Sequence, residues 1–214
     1  MIAPTTGKYP GDFARLTPDK PAIISAATGQ VVTYKELDQR SNQFARYLHQ
    51  QGLRRGDHIA VLMENNLRYM ELVWAAMRSG LHVTTINRYL TPGEVSYIVH
   101  DCGARALVSS HALRDIAQAL TPLIERCPIR LMVDGQAPGW PSYEAAIAPF
   151  STEPMEPQWL GQLMLYSSGT TGRPKGVLRK LTEALVTEGN PRGDALRAFG
   201  FDENTVYLSP APMY

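Results

Sequence analysis

The sequence predicts an α/β fold, a mostly parallel sheet flanked by helices, on two observations. Short apolar runs that read as buried strands alternate with segments of helical spacing, and this alternation is the pattern of helix-covered parallel sheet. Helix-start signals and glycines fall between the segments where caps belong. Thr33 and Glu36 form a capping box, and Leu37, Phe44, Ala45 and Leu48 continue at helical spacing until Gly52. Ile59 to Met63 is a buried strand. Asn65 or Asn66 caps a helix whose Met70, Val73, Trp74 and Met77 share a core-facing side, with Gly80 past its end. His82 to Ile86 is the next strand. Thr91-Pro92-Gly93-Glu94 is a second capping box, opening a helix through Val95, Ile98 and Val99 that stops near Gly103. Ala106 to Val108 is strand, Leu113, Ile116, Ala117 and Leu120 mark a fourth helix from His111, and Ile129 to Val133 is strand again. Residues 134–160 hold five prolines (138, 141, 149, 154 and 157), which leave room for regular structure only around Tyr143 to Ile147. Gln162 to Tyr166 then forms a strand. Leu181 to Phe199, interrupted by Gly189 to Gly193, is predicted as two short helices, and Thr205 to Leu208 as a last strand.

The most informative run is Y-S-S-G-T-T-G-R-P-K-G-V at 166–177, directly after an apolar strand-like stretch. A polyphosphate needs many hydrogen-bond donors on a concave surface, and glycines let backbone amides turn inward without a side chain in the way. Ser167, Ser168, Thr170 and Thr171 add hydroxyls, Gly169, Gly172 and Gly176 the freedom, and Lys175 a point charge. The run therefore fits a nucleotide triphosphate. It is not the Gly-Lys-Ser/Thr loop of kinases and GTPases, since Pro174 precedes Lys175 and Gly176 follows it. The glycine spacing also misses the dinucleotide fingerprint.

Composition excludes several other classes. The chain has 214 residues and a formal net charge of +1, which leaves no basic stripe for nucleic acid. Two cysteines, Cys102 and Cys127, lack C-x-x-C spacing and disulfide density, so a reducing, cytoplasmic setting is expected. No segment has the length of a membrane span, and Met1 to Pro10 lacks the apolar stretch of an export signal. The five histidines (49, 58, 82, 100 and 111) show no metal-ligand spacing and are assigned structural or surface roles. Cys102 between Asp101 and Gly103 belongs to a helix-to-strand connection rather than to a nucleophile, and Glu36, Glu94 and Asp57 are caps or turn residues.

The 166–177 run resembles, without a gap, the signature phosphate loop of the AMP-forming acyl-CoA synthetases, members of the adenylate-forming superfamily. T-Y-K-E-L-D (33–38), L-R-R-G-D-H-I-A-V-L-M-E-N (53–65), A-A-M-R-S-G (75–80), N-R-Y-L-T-P-G-E (87–94), D-C-G-A-R-A-L-V (101–108) and S-P-A-P-M-Y (209–214) follow in that family's order, from about Phe13 onward. The resemblance implies the truncated N-terminal domain of such an enzyme: a first α/β subdomain at 1–133, a Pro-rich connection at 134–160, and at 161–214 the start of a second subdomain with the phosphate loop. Family members continue past Pro-x-Tyr, ordinarily with a histidine. The segments for adenine, ribose and the C-terminal adenylation lysine have no counterpart among these residues.

The resemblance further implies a ligase that uses ATP, Mg2+ and coenzyme A to convert a carboxylic acid, of fatty-acyl type by the N-R-Y-L-T-P-G-E run, into acyl-AMP and then a thioester. Ser167, Ser168, Gly169, Thr170, Thr171, Gly172 and Lys175 would bind ATP, with Thr170 the local candidate for the magnesium ion. No residue here is assigned to catalysis itself. The chain alone is expected to be inactive, with an exposed sheet edge and an uncovered apolar face if later strands complete its sheets. Two other readings stay open: a nucleotide-binding or regulatory module without catalysis, and an amino-acid adenylation domain.

Overall fold

In the computed structural model, which describes residues 8–167, 173–188, 196, 198–202 and 204–214, the centre is a five-stranded, wholly parallel sheet. Its strands are β3 (His58–Leu62), β4 (His82–Thr85), β5 (Ala104–Ser110), β6 (Ile129–Val133) and β7 (Gln162–Leu163), in the order β6-β5-β3-β4-β7. Before them come α1 (Pro10–Leu16), an antiparallel hairpin of β1 (Pro21–Ile24) and β2 (Val31–Thr33), and α2 (Tyr34–Gln50). The crossovers are α3 (Tyr69–Arg78) between β3 and β4, α4 (Pro92–Asp101) between β4 and β5, and α5 (Arg114–Leu120) between β5 and β6. The short α6 (Tyr143–Ile147) stands in the proline-rich stretch. After β7 the chain forms a second antiparallel hairpin, β8 (Leu165–Ser167) and β9 (Lys175–Val177).

The central strands are apolar on both faces because helices cover both. Ile59, Val61, Val83, Ala106, Val108 and Leu131 point to one side, into a core shared with Phe44, Leu48, Leu72, Ala75 and Tyr143. Ala60, Leu62, Leu107 and Met132 point to the other, among Val95, Ile98, Val99, Ala117 and Trp140. This alternation is the two-residue period of a strand, read twice, and it accounts for uninterrupted apolar runs. Truncating Phe44, which is wholly buried, would cost about 3–5 kcal/mol.

Both predicted capping boxes close. Thr33 Oγ1 accepts from the Glu36 amide at 3.2 Å while the Glu36 carboxylate accepts from the Thr33 amide at 2.9 Å. Thr91 and Glu94 repeat the arrangement at 3.4 and 2.8 Å. Asp57 is a turn residue as read: its carboxylate accepts from the Arg54 amide and pairs with Arg105 at 2.8 Å. The proline-rich stretch, poor in amide donors, has its carbonyls satisfied by α2, whose Asn42, Gln43 and Arg46 side chains donate to Thr152, Phe150 and Glu153 at 2.8–3.0 Å. Nothing in the sequence pattern pointed to that seam.

Several expectations are corrected. The N-cap of α3 is Arg68, without a side-chain cap bond, and Asn66 accepts from the Arg68 amide in the turn just before. The buried members of α3 are Tyr69, Glu71, Leu72, Ala75, Ala76 and Arg78, while Met70 is exposed, Trp74 is half-buried, and Val73 and Met77 pack at the margin. Gln162 to Tyr166 is two strands in two sheets rather than one. Residues 181–185 form no helix; Leu185 bridges Trp159, and a single 3-10 turn covers Val186–Glu188. Of the second predicted helix, residues 194, 195 and 197 lie outside the described residues, while Leu196 and Ala198 are helical and Phe199 lies in a turn. Thr205 to Leu208 is not a strand: among the described residues it pairs with no other strand, and Val206, Tyr207 and Leu208 are exposed.

Candidate functional site

The candidate site is the hairpin β8–β9 and the loop that it closes. Leu165 pairs with Val177, Tyr166 with Gly176, and Ser167 with Lys175. Residues directly opposite in an antiparallel pair project to the same face. Ser167 and Lys175 therefore share the outer face of the last rung, where both are exposed. Of the residues predicted to bind ATP, these two are brought together. Ser168, Gly169, Thr170, Thr171 and Gly172 lie outside the described residues.

The inner face carries Tyr166 alone. A Cβ at Gly176 would meet Met164 Cε at 2.4 Å and Tyr166 Cζ at 2.9 Å, so the tyrosine ring lies across the glycine and a larger residue would push it and the methionine aside. Tyr166 Oη donates to Asp101 Oδ2, 2.6 Å away at the end of α4. Burial, and the carboxylate that accepts its proton, raise the Tyr166 pKa, so the phenol stays protonated and remains the donor. On the other stalk, Tyr97 Oη donates to the Pro174 carbonyl at 3.3 Å, and the Arg173 guanidinium lies 5.7 Å from the Tyr97 ring centroid.

The chain enters this hairpin through a tight passage. The Gly161 amide donates to the Met77 carbonyl at 2.6 Å, and a Cβ at Gly161 would stand 2.4 Å from the Leu81 carbonyl oxygen. Only a glycine fits between α3 and β4 there, and β7 then joins the β4 edge through His82 and Val83.

The sequence reading missed β9 as the return strand, and with it the parts played by Tyr97, Asp101 and Tyr166. Alternation in Lys175-Gly176-Val177 was the one available sign, too short to stand alone. Elsewhere the positions of other residues are as read. Asp101-Cys102-Gly103-Ala104 joins α4 to β5, and both cysteines are buried and free, with burial pushing the Cys102 thiol up and that of Cys127 up to about 12. His58 and His82 face each other in register on β3 and β4, rings stacked at 4.4 Å, as a structural pair. Burial and the neighbouring ring lower the His58 pKa to about 4.

Chemically, an exposed ammonium and a hydroxyl on one rung suit phosphate oxygens. A magnesium ion prefers several hard oxygen ligands and is held largely through substrate phosphates. Among the described residues no group of three or more His, Cys, Asp or Glu side chains could hold a metal, and Thr170 is outside them. No helix among the described residues is long and apolar enough to cross a membrane.

Residues 12–214 match the family described as AMP-binding enzyme. The chain is 32% identical over 171 residues to a 3-oxocholest-4-en-26-oate–CoA ligase of Rhodococcus rhodochrous, covering 76% of this chain and 30% of that protein. It is 30% identical over 201 residues to a long-chain-fatty-acid–CoA ligase of Thermus thermophilus, covering 91% and 36%. Among solved structures, a fatty acyl CoA synthetase of Mycobacterium tuberculosis superposes with a TM-score of 0.66 at 22% identity, covering 80% of this chain and 33% of that one. MbtA of Mycobacterium smegmatis does so with 0.67 at 25%, covering 85% and 35%. The chain spans about a third of the length of these proteins. With a match from residue 12 to residue 214, a helix-flanked parallel sheet and a glycine- and hydroxyl-rich loop closed by a hairpin, the chain belongs to the AMP-binding enzyme family.

Proposed function

We propose that this chain is the part of an AMP-forming acid–CoA ligase that grips the phosphates of ATP, with a fatty acid as the substrate class. The observation that carries the reading is the placement of Ser167 and Lys175 on one exposed rung at the mouth of the Ser168–Pro174 loop, within a family of AMP-binding enzymes. The fatty-acid part rests on the name of the Thermus thermophilus relative, a long-chain-fatty-acid–CoA ligase.

In this reading a carboxylate oxygen attacks the α-phosphorus of ATP, the bond to the bridging oxygen breaks, and pyrophosphate leaves. The acyl carbon of the acyl-AMP is then attacked by the coenzyme A thiol, the thiol proton is lost to solvent, and AMP departs. The first step brings an anion to an anion, so its barrier falls when charge on the leaving group is neutralised and the reactants are held in line. Lys175 supplies a positive charge, Ser167 a hydroxyl donor, and the amides of 168–172 further donors to the β- and γ-phosphates. Mg2+, when bound, would share those oxygens, with Thr170 as its protein ligand. Lys175 binds phosphate; it takes no proton from either reactant. Residues 1–214 alone bind nucleotide without turnover, and the ligase activity belongs to a polypeptide of the relatives' length. The protein works in the cytoplasm.

The test has two arms. Calorimetric titration of the chain with MgATP is expected to show binding that Lys175→Ala weakens at least tenfold, with unchanged thermal unfolding. Pyrophosphate exchange by the polypeptide extended to the relatives' length is expected with a long-chain fatty acid and not with amino acids. Exchange driven by amino acids alone would overturn the substrate class. Tight ATP binding by Lys175→Ala would overturn the site.

A further inference from the structure

The hairpin that closes the loop is a poor scaffold by itself. Two short strands are marginal in water, and Leu165 and Val177 on the outer face are half exposed. Something else has to hold the two stalks at a fixed distance and angle, and the candidate is α4. Its buried side chains Val95, Ile98 and Val99 fix it to the sheet. Tyr97 and Asp101, four residues apart, project from it along one face. Asp101 receives the Tyr166 hydroxyl from the first stalk, and Tyr97 gives its hydroxyl to the Pro174 carbonyl on the second, with the Arg173 guanidinium over its ring.

We propose that Tyr97 and Asp101 are positioning residues for the Ser167–Lys175 rung, tying the two strands that carry it to consecutive turns of one core-anchored helix so that the rung is set before ATP arrives. The proposal rests on the nucleotide reading of the loop that the rung closes. Neither residue touches the phosphates; each acts through the stalk that it holds. The benefit is preorganisation, since a rung held in advance loses less freedom on binding. Gly176 belongs to the same device, because the space above it is what lets the Tyr166 ring reach across to Asp101.

The variants Tyr97→Phe, Tyr166→Phe and Asp101→Asn each remove or weaken one tie while keeping shape. Amide hydrogen exchange is read in β8 and β9, and affinity is measured for MgATP and for inorganic tripolyphosphate. Each single variant is expected to speed hairpin exchange and to weaken both ligands about three- to tenfold, with no change in thermal midpoint. The double variant Asp101→Asn/Tyr166→Phe should be no worse than the poorer single one, because both changes break the same bond, whereas adding Tyr97→Phe should weaken binding further. Hairpin exchange unchanged in Tyr97→Phe and Asp101→Asn would overturn the anchoring, whatever ATP does. Faster exchange with unchanged affinity would overturn the positioning role and leave only a structural tie. A wild-type chain that binds neither ligand would overturn the nucleotide reading itself, and the positioning role with it.

Discussion

Glu71 shows how far burial can outweigh a nearby charge. The residue is wholly buried on α3, with Arg68 at 3.6 Å and Arg40 at 3.9 Å, and neither carboxylate oxygen has a hydrogen-bond partner among the described residues. Desolvation outweighs the Arg68 charge and the nearby Tyr143 hydroxyl and raises its pKa from the ordinary 4.5 to about 8. The folded state therefore binds a proton that the unfolded chain has lost between those values, and stability falls as pH rises from about 4.5 to about 8. His58 acts in the opposite sense. Its pKa is lowered from 6.5 to about 4, so the folded state binds fewer protons in that window and stability falls as pH drops through it. From pH 6.5 to 8 the glutamate slope stands without the histidine's. Glu71→Gln is expected to flatten the stability profile there and to be more stable than the parent at pH 8, read as urea midpoints at the two pH values. A Gln variant that loses stability at pH 8 would show that the charged carboxylate is held by its arginines. Gly161→Ala is the matching steric test. Its Cβ would overlap backbone oxygens of α3 and the residue before β4, and an expected loss of about 1–3 kcal/mol in denaturant unfolding checks the tight passage.

At the scale of elements, the helix starts carry most of the information. Thr33 and Thr91 each close a reciprocal box, and Thr91→Ala should cost about 1 kcal/mol, seen as a lowered urea midpoint. These caps were legible in the sequence because they are local: a hydroxyl and a carboxylate three residues apart need no tertiary partner. The inward face of α3 was not legible, because Tyr69, Met70, Leu72, Val73, Trp74, Ala75, Ala76 and Met77 are nearly all apolar and no single stripe stands out. Packing on β3 and β4 selected the stripe with small Ala75 and Ala76, and buried Glu71 and Arg78 with it. At the site, Lys175 and the hydroxyls were legible as a cluster, whereas the anchoring by Tyr97 and Asp101 depends on residues about 65 to 77 positions away in sequence. The segment 205–208 misled for a related reason. Val206, Tyr207 and Leu208 are good strand formers, but strand propensity expresses a fit to a pairing strand, and none pairs with them among the described residues.

For the whole molecule, the parallel sheet has helices on both faces, and among the described residues the stretch after residue 164 holds more exposed large apolar side chains than the longer part before it. Leu165, Val177 and Leu178 are each about half exposed on the hairpin, and Phe199, Val206, Tyr207 and Leu208 are exposed further along. Exposed apolar residues of this number favour association. The 214-residue chain is accordingly expected to self-associate as its concentration rises. Sedimentation velocity checks this, and a compact monomer at every concentration would contradict it.

The most direct measurement is an amide-resolved NMR titration of the chain with MgATP. The account predicts shifts confined to Tyr166–Val177 and the facing turns of α4 around Tyr97 and Asp101, and their loss in Lys175→Ala. Shifts absent from that hairpin, or gathered instead at the crevice of about 470 Å3 lined by Arg40, Asn65, Arg68 and Asp134, would contradict it.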